Sequence, residues 1–157
     1  MLPFFQWCEG SLAGATIRGS LWLFPVIESF HLLALALIGG AILLVDLRLL
    51  GLGLRGQPVA QLARGVERWL AGGLAVMITS GALLFTSEAI KCYYNPAFWT
   101  KMEFLLPALI FTFTIRRRVA FAEEGRVWPL WNRVVAISSL ALWTGVGAGG
   151  RWIGFTG

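Results

Sequence analysis

Glu28 and His31 stand three positions apart, in a stretch from Leu21 to Val45 that holds no other charged residue. On a helix this spacing puts both side chains on one face, and Glu-x-x-His is a ligand pair of carboxylate metal sites in helical bundles. His31 is the only histidine of the chain. A metal held there needs further donors, for which Glu88, Glu103, Met102 and Cys92 are the candidates. Lys101 and Arg151 are cations that could neutralise an anionic group, such as a haem propionate, beside such a centre. Hydrolysis has no visible machinery: Ser29, Thr86 and Ser87 lack any histidine partner other than His31.

Elements that could carry these residues must live in lipid. Of the 157 residues 57% are hydrophobic and 13% charged, and the mean hydropathy is +0.74, whereas a soluble domain of this size needs a much larger polar shell. Disorder is excluded by the same composition, and a disulfide-rich or zinc-ribbon scaffold by the presence of only Cys8 and Cys92. The length of a transmembrane helix predicts four spans, at about 21–45, 69–88, 96–115 and 130–150. Asn95-Pro96 and Pro129 suit the starts of the last two. The expectation is an all-α, four-helix membrane bundle forming one domain over residues 1–157. Residues 1–20 read as a short external or interfacial segment rather than a cleaved leader, and Gln57 to Arg68 as a similar amphipathic piece.

Basic residues set the orientation. Arg48, Arg55, Arg64 and Arg68 lie between the first two spans, and Arg116, Arg117, Arg118, Arg126 and Arg133 between the last two. The positive-inside rule then places both chain ends outside, in a bacterial inner membrane with the polar layer facing the periplasm. The net charge of +5 is therefore a topology signal, and nucleic acid is not an expected partner. With ~1.5 Å of rise per residue, Glu28, His31, Lys101 and Glu103 fall roughly 5 to 10 Å below the outer edge, and Glu88 and Arg151 at it. Asp46 and Arg48 read as inner surface residues.

Isolated charges are costly at that depth, so the layer implies mutual compensation or function. Three readings stand. The residues form a binding or redox site centred on His31; or Glu28, Glu88 and Glu103 pair with Lys91, Lys101 and Arg151 as a clamp in an accessory subunit; or Glu28 and His31 serve a proton-coupled carrier. Cys8 and Cys92 share the oxidising face, which favours a disulfide over a thiolate ligand. Gly39-Gly40, Ala41, Gly72-Gly73, Gly81 and Gly145-x-x-x-Gly149 read as helix-contact stripes. Trp69, Trp99, Trp128, Trp131 and Trp152 read as interfacial belts.

The segments Phe24-Pro25-Val26-Ile27-Glu28-Ser29-Phe30-His31-Leu32-Leu33-Ala34, Asn95-Pro96-Ala97-Phe98-Trp99-Thr100-Lys101 and Gly150-Arg151-Trp152-Ile153 together resemble an uncharacterised family of small four-span bacterial membrane proteins. His31-Leu32-Leu33-Ala34 followed by Gly39-Gly40 is also distantly similar to the first helix of copper-resistance D proteins and other cytochrome-b561-like bundles. That resemblance implies a periplasm-facing copper or b-type haem site with His31 as ligand. The chain departs from the two-histidine pattern of b561-type cytochromes, so haem would be five-coordinate, completed by a residue such as Met102, or shared between two protomers. The resulting expectation is electron transfer or metal handling, with Glu28 orienting His31 or joining the coordination. The lipid bilayer and a homo-oligomer or larger membrane complex are the expected partners.

Overall fold

Asn95 starts a helix as its type suggests, its side-chain oxygen accepting from the Ala97 amide at 2.9 Å while Pro96 takes the first helical position. The chain is described here by a computed structural model covering residues 1–53, 56–122 and 129–156, and these are helical apart from turns and short connections. The helices are α1 (Leu2–Glu9), α2 (Leu12–Gly19), α3 (Leu23–Leu49), α4 (Val59–Ser87), α5 (Ala89–Tyr94), α6 (Pro96–Phe111), α7 (Arg117–Ala120) and α8 (Pro129–Ile153). A π-helical turn at Thr112–Arg116 joins α6 to α7, so this helix passes through Pro107 without ending and widens one turn later. Arg55, Arg126 and Trp128 lie outside the described residues.

Among the described residues three helices are long and apolar enough to cross a membrane: Leu23–Leu49, Val59–Ser87 and Pro96–Ala120. The helix α8 has 25 residues and carries Asn132, Arg133 and Arg151 among its apolar ones. The second helix is longer than the 69–88 expected. Gln57 to Arg68 is no separate interfacial piece, because Val59 to Arg68 continues directly into α4 and buries Ala60 and Ala63.

Four long helices alternate in direction. On α3 and α4, His31 meets Ser80, Ile38 meets Gly73, and Val45 shares a core cluster with Ala63. On α6 and α8, Lys101 lies against Gly149, Ala108 packs with Trp143 and Val146, and Val119 with Val135. The pairs α3–α4 and α6–α8 are joined chiefly through α3 and α8. Their shared core centres on Ile38, Ile42, Val45, Val135 and Val146, all fully buried.

The small residues divide in an unexpected way. Gly73 admits Ile38, Gly81 admits the His31 ring, Gly145 admits the Phe104 ring, and a Cβ at Gly149 would stand 3.1 Å from the Lys101 backbone. Gly39, Gly40 and Gly72 touch no neighbour, since the contact face of α3 is Ala34, Ile38, Ala41, Ile42 and Val45 instead.

The N-terminal segment folds over the end of the bundle that holds His31. Ser11 caps α2, accepting from the Gly14 amide at 3.2 Å. The Glu9 carboxylate accepts from the Ile90 amide at 2.6 Å and so caps α5 from outside its own chain segment. Arg18 donates to the Ser87 carbonyl at 2.8 Å and to the Glu9 carbonyl at 2.7 Å. Phe5 sits among Phe85, Tyr93 and Trp99. Trp99 is therefore a packing residue, its indole N–H donating to the Tyr93 carbonyl at 3.0 Å, while Trp69, Trp131 and Trp152 are exposed as interfacial residues would be.

Candidate functional site

His31 is half-buried in the α3–α4 interface, with its Nδ1 2.9 Å from the Ser80 hydroxyl oxygen. The Ser80 hydroxyl donates to the Val76 carbonyl at 2.6 Å, one turn back along α4. The same hydroxyl oxygen also lies 3.3 Å from the Met77 carbonyl, so Ser80 ties the ring to one turn of α4. The Met77 backbone also hydrogen-bonds the imidazole, and whichever tautomer the ring takes, this turn of α4 fixes its orientation. Gly81 packs against the ring edge at Cε1, where a Cβ would approach to 3.2 Å. This combination fixes the orientation of the imidazole, as a hydrogen bond behind the ring does for a metal-ligating histidine.

Lys101 of α6 is the cation within electrostatic reach of His31. Its stem runs beside Gly149 and Gly150 of α8, and no carboxylate lies within ion-pair distance of it among the described residues. The other expected site residues do not converge. Glu28 shares the helix of His31 but is exposed, as is Glu103 on α6. Met102 is half-buried, Glu88 lies 3.7 Å from Lys91, and Arg151 is exposed with its guanidinium 4.8 Å from the Phe155 ring centre. No three His, Cys, Asp or Glu side chains among the described residues cluster as a metal site. Nor does the outer layer form one ionic network. Among the described residues, Glu88–Lys91 is the one expected pair that forms, and Glu9–Arg18, at 3.9 Å, belongs to the N-terminal segment.

The strongest polar contact lies at the opposite end of the bundle. Asp46 is fully buried, and the Arg116 guanidinium donates from Nε to its Oδ1 at 2.7 Å and from Nη2 to the Ile42 carbonyl at 3.1 Å. Ser139 of α8 approaches the same carboxylate, yet Asp46 Oδ2 and Ser139 Oγ lack hydrogen-bond partners. One turn deeper, the Trp143 indole donates to Thr112 Oγ1 at 3.0 Å. This corrects the reading of Asp46 as a surface residue. Its position on the Ala34, Ile38, Ile42 ridge was visible in the spacing, because residues four apart share a helix face.

Cys8 and Cys92 are free thiols, so the expected disulfide does not form in this structure. Cys8 is buried with Phe5 and Ala89 where α1 packs on α5. Cys92 is half-buried on α5, outside the long helices, where burial and the nearby Glu88 carboxylate push its pKa up to about 11.

No curated protein and no solved structure matches this chain. Residues 4–156 match a family of unknown function, DUF6644, and this coverage of nearly the whole chain shows that the protein belongs to that family.

Proposed function

We propose that this protein crosses a bacterial inner membrane four times, with both ends outside. Its periplasm-facing end would hold a b-type haem or a copper ion on His31, for electron transfer or metal handling. The observation that carries this reading is the His31–Ser80 hydrogen bond, which orients the imidazole against α4. The donor set fits one position of such a centre. Met102 or a second copy of the chain would supply the next ligand, and Lys101 would offset negative charge on the bound group. The group would supply one-electron chemistry, while Ser80 keeps the imidazole oriented and Gly81 leaves room for the ring. Glu28, Glu88 and Glu103 would enter only after their side chains moved inward. The distant similarity of the His31 segment to copper-resistance D and b561-like proteins points to the same chemistry.

A second reading is an accessory subunit whose helices are locked by a buried ion pair, and the Asp46–Arg116 contact favours it. One experiment separates the two. The detergent-purified protein is incubated with ferric haem or with Cu(I), and its visible spectrum and metal content are recorded after desalting. A Soret band or stoichiometric copper that is lost in His31→Ala and weakened in Ser80→Ala, with helical content unchanged by circular dichroism, is the expected result. A colourless, metal-free protein overturns the His31 centre and leaves the accessory subunit.

A further inference from the structure

A shallow cleft of about 80 Å³, open on one side, lies between α4 and the helix formed by α6, the π turn and α7. Its walls are mostly apolar: Leu70 and Ala71 from α4, Phe113 and Ala120 from the facing helix. At its rim the Arg117 guanidinium donates from both Nε and Nη2 to the same oxygen of Glu67, at 2.9 and 2.8 Å, and lies 5.2 Å from the Phe121 ring centre. One N–H face of Arg117 thus remains turned away from its pair. Glu67 is the single carboxylate on α4 and α7, against Arg64, Arg68, Arg117 and Arg118. Arg68 stacks on Trp69, Arg116 at the floor is neutralised by Asp46, and Arg64 and Arg118 are exposed.

The charges and the apolar walls are displaced along the helix axes. Leu70 and Ala71 stand about one turn beyond Glu67, and Phe113 about one turn before Arg117, so the apolar walls extend roughly 5–6 Å past the charged rim. A cleft with apolar walls whose rim carries Arg117, with Arg64 one turn along α4 from Glu67, is complementary to the start of an acyl chain and a phosphate. An empty apolar void costs the dispersion contacts of its lining, and the bilayer holds chains that fill it. Basic pockets between membrane helices select lipids with anionic head groups.

We infer that the cleft between α4 and the α6–α7 helix binds one anionic phospholipid, with the start of an acyl chain against Ala71 and Phe113 and the phosphate beside Arg64 and Arg117. This inference is independent of any centre at His31, at the other end of the bundle.

Native mass spectrometry of the detergent-solubilised protein, titrated with phosphatidylglycerol and with phosphatidylcholine of the same chains, tests it. Retention of phosphatidylglycerol should exceed that of phosphatidylcholine by about 25-fold, about fivefold for each of Arg64 and Arg117. Each removed arginine should lower it about fivefold, as one basic residue near a membrane surface contributes ~1 kcal/mol. Arg64→Gln with Arg117→Gln should bring the two lipids level. If that variant does not fold, Arg64→Gln with Arg118→Gln, which breaks no ion pair seen among the described residues, should still reduce the preference. Ala71→Phe, which fills the cleft, should reduce both lipids together. Soluble glycerol phosphate, which lacks chains, should not compete. Equal retention of both lipids by the wild type, an unchanged preference in the arginine variants, an unaltered Ala71→Phe protein or full competition by glycerol phosphate would each overturn the proposal.

Discussion

Asp46 and Arg116 show what a buried charge requires in this chain. Each is almost fully enclosed, and each satisfies the other at 2.7 Å. Removing one partner strands the other, so Asp46→Leu should destabilise the protein by about 3–5 kcal/mol in an unfolding titration with a denaturing detergent. The double variant Asp46→Leu, Arg116→Met removes both charges and should recover most of that loss. If single and double variants are equally unstable, the pair is not what holds α3 to the π turn. The Cys92 thiol offers a pH test at the same scale. With its pKa raised to about 11 by burial and by Glu88, it stays protonated at neutral pH, and alkylation in a Cys8→Ser background should accelerate only as pH climbs toward that value. The sign for stability follows: the folded state holds this proton more tightly than the unfolded chain, so the contribution is complete below the ordinary thiol pKa and fades as pH rises through the raised one. Rapid labelling at pH 7 would contradict the buried placement.

Helices in this protein meet through different small residues than a glycine count suggests. Gly149 brings α8 onto the Lys101 backbone, which cannot retreat as a side chain can, whereas Gly39 and Gly40 face outward. Gly149→Val should therefore cost about 1–3 kcal/mol through overpacking, while Gly39→Ala and Gly40→Ala should leave stability at or above the wild type, since alanine is the better helix former. The same detergent titration ranks the three variants, and a harmless Gly149→Val would refute the close α6–α8 approach. The π turn belongs to this scale as well. It lies at Thr112–Arg116, where the helix supplies Thr112 to Trp143 and Arg116 to Asp46.

At the scale of the molecule, alternating helices place His31, Ser80, Lys101 and Gly149 at one end and Asp46, Arg116 and the arginine-rich rim at the other. The two ends differ in kind: one is covered by α1 and α2, while the other opens sideways through a cleft. The four-span, both-ends-out orientation proposed above predicts that cysteines placed at Thr156 and near Met1, in a background without Cys8 and Cys92, react with a membrane-impermeant maleimide in intact spheroplasts. Labelling only after lysis would reverse the orientation.

Composition and local spacing were enough to assign the helical class, helices long and apolar enough to cross a membrane, and the start at Asn95, because span length and capping are local properties of consecutive residues. The shared axial level of His31 and Lys101 was also legible, as it follows from rise per residue. Rotation about each axis was not. Glu28 and His31 share a helix and a depth, yet one is exposed and the other rests on Gly81, and Asp46, read from its place beside Arg48 as a surface group, is enclosed. Which azimuth of a nearly uniformly apolar helix turns inward depends on how the side chains of four helices interdigitate, and only the tertiary packing decides that.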